Sequence, residues 1–199
     1  MAGGGRGLEL RWGIDLADQN EIVLTPVMSA LGRMTATHAR CEMELAGCLA
    51  VLLSAGDNPF YRLPDASALL EKKWGAKGRA QLVSKKAREA ARAGMLSEHG
   101  VQRFCALAMR FEALSEARND YVHRPLGWMS IEGSEPTLVL VRPSLLTTMV
   151  TREEDVTRHY LRGYIFRNAV HVDEIVALIR NMQRWCADVV GAIKLYRTA

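Results

Sequence analysis

No apolar run in this 199-residue chain approaches the ~20 residues that a membrane-spanning helix needs, so no association with a membrane is expected. The opening Met1-Ala2-Gly3-Gly4-Gly5-Arg6-Gly7 lacks the apolar stretch of a secretory signal, and the expected location is the cytoplasm. Its glycines have no Gly-Lys-Ser/Thr ending and no strand before them, which excludes a phosphate loop; residues 1–18 read as a loose N-terminal segment. Cysteine is scarce. Cys41, Cys48, Cys105 and Cys186 fall inside helical patterns with no Cys-x-x-Cys pair, so they read as small core residues rather than as a zinc site or a disulfide framework. The five histidines form no His-x-x-x-His or Glu-x-x-His pair, so no metal and no cofactor are expected.

What is present is the balance of a folded globular protein, 49% apolar and 24% charged, at a length that suits a single domain over residues 1–199. The formal charge of +4 is unevenly spread. Between Glu71 and Arg110 ten Lys or Arg face three Glu, a local +7 that leaves −3 for the remainder. Such a region draws phosphate backbones by releasing their counterions, although a charged stripe also serves simply to solvate a helix face.

Val27, Leu31, Met34, His38, Cys41, Leu45, Cys48 and Leu52 recur at spacings of three and four, the stripe of one long helix halted by Gly56 and Pro59. A connector follows, with a short helix starting near Pro64-Asp65. From Arg79 to Met95 a second helix carries Val83, Ala87 and Ala90 on one side and Lys85, Arg88 and Arg92 on another. Ser97 caps a third, whose seam of Phe104, Leu107, Phe111 and Leu114 leads to Arg118 and must stop before Pro125. Two strands around a turn are expected over Trp128–Pro143, and Thr151-Arg152-Glu153-Glu154 has the pattern of a helix start. The last helix runs from about Val172 with Ile175, Leu178, Met182, Trp185, Val189, Ile193 and Tyr196 on one side. Amphipathic helices of this kind bury their stripes against each other. The expected fold is all-α, an antiparallel bundle of about four main helices with a small β-hairpin inserted after the third.

The chemistry of the chain concentrates at the end of the third helix. Arg118 at a seam position can snorkel or pair with Glu42 or Glu44, and His123 near a helix end can satisfy terminal carbonyls. Asn119 and His123 stand four apart and share a face, with Arg118 about 100° around from Asn119. His38 on the first stripe reads as a core histidine with a satisfied hydrogen bond and is a secondary candidate; Glu112 and Glu116 read as solvated carboxylates.

Arg118-Asn119, three further residues and His123 resemble the signature of the HEPN superfamily of helical bundles, and the order of helices from about Leu24 to Tyr196 is similar as well. The resemblance implies a metal-independent endoribonuclease whose site forms where two copies meet, hence a homodimer acting on RNA. In that reading Arg118 holds the scissile phosphate with its planar fork, His123 transfers the proton of the ribose 2′-hydroxyl or the leaving oxygen, and Asn119 orients either group. Lys85, Arg88, Arg92 and Arg124 would bind RNA. The product would be a 2′,3′-cyclic phosphate end, and DNA would resist. The resemblance further suggests a toxin–antitoxin, phage-defence or stress setting with an antitoxin-like protein partner. Pro125 stands where some toxin members carry a tyrosine, so regulation through that tyrosine does not transfer. The alternative is a non-catalytic HEPN-like module for dimerisation or for nucleotide or RNA binding, in which Arg118 and His123 stabilise the bundle or its interface.

Overall fold

Helices striped on one side need partners, and the computed structural model shows which ones they take. It describes residues 8–11, 21–54, 58–123, 126–131, 137–140 and 172–198. The elements run β1 (Leu8–Arg11), α1 (Glu21–Leu53), a 3-10 turn (Pro59–Arg62), α2 (Leu63–Glu71), α3 (Gly75–Arg92), α4 (Glu98–Val122), β2 (Leu126–Ile131), β3 (Thr137–Leu140) and α5 (Val172–Thr198). The described residues are predominantly helical. Length suggests one domain, yet the chain divides into two compact units, one of Arg33–Arg118 with Leu178–Ala199 and the other of Met1–Gly32 with Asn119–Ala177.

The first unit is a helical bundle. Its core is built from the predicted stripes: Met34, Cys41, Leu45 and Cys48 of α1, Val83, Ala87 and Ala90 of α3, Phe104, Leu107 and Phe111 of α4, and Met182, Trp185 and Val189 of α5 are all buried. Each large apolar side chain buried in this way contributes about 1.5–3 kcal/mol. Trp185 is fully buried and its Nε1 donates to the Leu107 carbonyl at 2.9 Å, so the indole brings no unsatisfied donor into the core. Phe111 lies 5.7 Å from Trp185 and Phe104 meets Tyr196 edge-on at 6.3 Å, which ties α4 to α5 along their length.

The helix directions depart from simple alternation. Cys41 of α1 lies against Met182 and Cys186, and a Cβ at Gly47 would come 3.6 Å from Ile193, so α1 and α5 run the same way. Arg110 pairs with Asp188 while Phe104 meets Tyr196, so α4 runs opposite to α5. The expected fully antiparallel arrangement is thus corrected for the α1 and α5 pair. Residues 123–171 separate α4 from α5, a connection long enough to bring α5 back alongside α1.

Local chemistry sets the helix ends. Asn58 accepts from the Phe60 amide at 3.1 Å to start the 3-10 turn, and Pro64 and Asp65 open α2. α3 closes with Gly94 at φ +74°, its amide bonded to Ala91 and the next amide, of Met95, reaching Ala90 at 2.9 Å, the paired bonds of a left-handed glycine stop. Ser97 then caps α4 by accepting from the Gly100 amide at 3.2 Å. α4 ends at Val122, ahead of Pro125.

The second unit holds a three-stranded antiparallel sheet in the order β1-β2-β3. β2 pairs with β3 from Leu126↔Leu140 to Met129↔Thr137, and with β1 from Leu8↔Ile131 to Arg11↔Trp128. Leu8–Arg11 belongs to the segment that the sequence alone suggests is loose. Four residues are too few to declare a period, and their hydrogen-bond partners lie more than a hundred positions away, so only the folded chain reveals this strand. Residues 132–136, the Thr151-Arg152-Glu153-Glu154 segment and Arg124 fall outside the described residues.

Candidate functional site

Arg118, on the last turns of α4, is half-buried and belongs to the helical unit. His38 of α1 lies within its electrostatic reach. His38 is buried, stacks on Phe111 at 5.9 Å between ring centres, and places Nε2 2.9 Å from the Ser115 hydroxyl. Ser115 Oγ donates its proton to the Phe111 carbonyl at 2.8 Å, so it is Nε2–H of His38 that donates to Ser115. Burial lowers the His38 pKa below its ordinary 6.5; Glu42 opposes that shift, and the guanidiniums of Arg118 and Arg79 reinforce it. The imidazole is therefore neutral at neutral pH.

Glu42, a candidate partner for Arg118 on sequence grounds, accepts a hydrogen bond from Arg79 of α3, and Glu44 pairs with Arg40 at 3.7 Å. Arg79 Nε is buried and has no hydrogen-bond partner among the described residues. Arg118, Arg79, Glu42, His38 and Ser115 thus form a polar cluster on the bundle, contributed by α1, α3 and α4. The secondary reading of His38 as a core histidine with a satisfied hydrogen bond agrees with this geometry. Arg79 and Ser115 were not legible as members. Ser115 lies one position past Leu114, the expected seam residue; Leu114 is half-buried whereas Ser115 is buried, because its hydroxyl finds both an acceptor and a donor there.

Asn119 and His123 belong to the other unit, and both are exposed. The His123 amide donates to the Asn119 carbonyl at 3.2 Å, extending the hydrogen-bond ladder of α4 by one residue past Val122. On α3, Lys85, Arg88 and Arg92 are exposed, as their spacing implies. Lys85 lies 3.8 Å and Lys86 2.7 Å from Glu89, whose carboxyl is held below its ordinary range first by the Lys86 hydrogen bond.

A groove of about 550 Å³ between α4 and α5 is lined by Arg110, Leu114, Asn181, Arg184 and Asp188. Its two cations are engaged, Arg110 with Asp188 at 2.7 Å and Arg184 with Asn181. Three of the four thiols are sealed, while Cys105 is only half-buried: burial raises the pKa of Cys41 and Cys186 and pushes Cys48 up to about 12. Among the described residues no group of three His, Cys, Asp or Glu could hold a metal ion, and no helix is long and apolar enough to cross a membrane. Comparison with protein-family models, with curated proteins and with solved structures finds no match.

Proposed function

We propose that this chain binds RNA and cleaves it without a metal by the HEPN-type reaction, with Arg118 and His123 as its catalytic pair. Its architecture in this reading is the helical bundle with the β2 and β3 pair as an insertion after the third main helix. Two copies complete the site. One observation above all supports the reading: the Arg-Asn-x-x-x-His run closes a bundle helix with His123 exposed and Arg118 only half-buried, so that neither is sealed in a dry core. The guanidinium would neutralise the phosphate as charge builds on it, and the imidazole would move the 2′-hydroxyl or leaving-group proton. Asn119, exposed one position after Arg118, would orient phosphate or imidazole. The setting, toxin–antitoxin, phage defence or stress response with an antitoxin-like partner, is part of the same proposal.

A second reading has its own support. The influence of Arg118 on buried His38 suits an arginine that stabilises the bundle in a non-catalytic dimerisation or RNA-binding module. Incubation with RNA followed by end-group analysis separates the two. Cleavage should leave 2′,3′-cyclic phosphate and 5′-hydroxyl ends, spare DNA, and fall at least ~100-fold in Arg118→Ala and His123→Ala with melting temperatures near that of the parent. An intact RNA together with a destabilised Arg118→Ala variant would favour the structural role.

A further inference from the structure

The most exposed large apolar side chain among the described residues is Trp74, at 97%. Indole is costly to leave in water, and the backbone on either side holds this one in place. The Lys72 and Lys73 amides close α2 by donating to Ala68 and Leu70, Trp74 itself is extended at φ −73° and ψ 123°, and Gly75 at φ +65° turns the chain into α3. The ring is therefore presented by an ordered helix junction.

Beyond Trp74 a polar track follows α3. Lys77, Gln81, Lys85, Arg88 and Arg92 are all exposed and stand at steps of four, four, three and four, an arc of about 80° running for about 22 Å along the helix. The opposite face, Ala80, Val83, Ala87 and Ala90, is buried in the bundle. Glu89 engages Lys85 and Lys86 and lies within electrostatic reach of Arg92, while no carboxylate among the described residues pairs with Lys77 or Arg88. The track is thus cationic, unbranched by apolar side chains, and headed by one open aromatic ring.

We infer that this surface binds single-stranded RNA, the α3 track following the phosphates and Trp74 stacking on a base. The inference rests on the RNA reading above and adds to it Trp74, Lys77 and Gln81, together with a preference for unpaired strands. A base offers its face to an indole only when it is unstacked from its neighbours, so the ring distinguishes single strands from duplexes where phosphate contacts alone do not. An anionic membrane would also attract Trp74 and lysines, but it would leave the length of the track beyond the ring without apolar anchors, so charge and shape favour a strand.

The test uses the full chain and a dye-labelled, 2′-O-methyl single-stranded RNA, which the proposed reaction cannot cleave, beside the same sequence as a duplex. Trp74→Ala should weaken single-strand binding about 10-fold while changing duplex binding little, and Trp74→Phe should recover most of the loss. Lys77→Ala with Arg88→Ala and Arg92→Ala should weaken both and flatten the salt dependence. If Trp74→Ala binds like the parent while the triple variant loses affinity, the stacking role fails and RNA binding stands. If the parent binds neither RNA, both fall, and Trp74-dependent binding to phosphatidylserine vesicles would then assign the surface to a membrane.

Discussion

At His38 a single side chain couples the bundle to pH. Its pKa is depressed in the folded chain, chiefly by burial, while the unfolded chain titrates near 6.5. Below that value the unfolded state takes up a proton that the folded state resists, so stability is complete above about pH 6.5 and falls as pH drops toward the depressed folded value. The melting temperature of the parent should therefore decline more steeply between pH 7 and pH 5 than that of His38→Gln, which keeps a donor for Ser115 without the titration. Equal slopes in the two proteins would show that His38 does not carry the effect. The sequence places His38 on a buried stripe but not beside Arg118 and Arg79, since those neighbours come from α4 and α3.

At the level of the element, most helices follow from spacing and caps that can be read directly. Ser97 ahead of α4, Pro64-Asp65 at α2 and Pro125 beyond α4 all act where chain geometry dictates. Ser97→Ala should cost about 1 kcal/mol by stranding the Gly100 amide, seen as a lower urea midpoint with an unchanged slope. A Cβ at Gly100 would meet the Leu96 side chain, so a substitution there requires Leu96 to shift. What spacing misses is the phase of the last turns of α4. The seam drawn through Leu114 gives way to Ser115, because a small hydroxyl that can bond Phe111 and His38 fills a buried place.

For the whole molecule, charge distribution is the property with the clearest experimental handle. The basic region of α3 lies on an exposed face, so RNA affinity should fall steeply with salt, by one counterion per phosphate contact. Replacing Lys85, Arg88 and Arg92 together by alanine should reduce the slope of log Kd against log salt by about two to three. Binding that ignores salt in the parent would contradict an electrostatic role for this face. A dimer, which the shared-site reaction requires, should be evident by sedimentation at micromolar concentration.

The sequence by itself determined where the helices lie, their buried faces up to the last turns of α4, and the exposed basic side of α3, because each depends on periodicity or on a cap a few residues away. Tertiary structure alone decided that α1 and α5 run in the same direction, that Leu8–Arg11 joins β2 as a strand, and that Arg79 takes Glu42. It also left Trp74 in solvent, although large aromatic rings are mostly buried in folded chains. These outcomes depend on which distant surfaces meet. No local period encodes that choice, since it is made by packing among segments far apart in the chain.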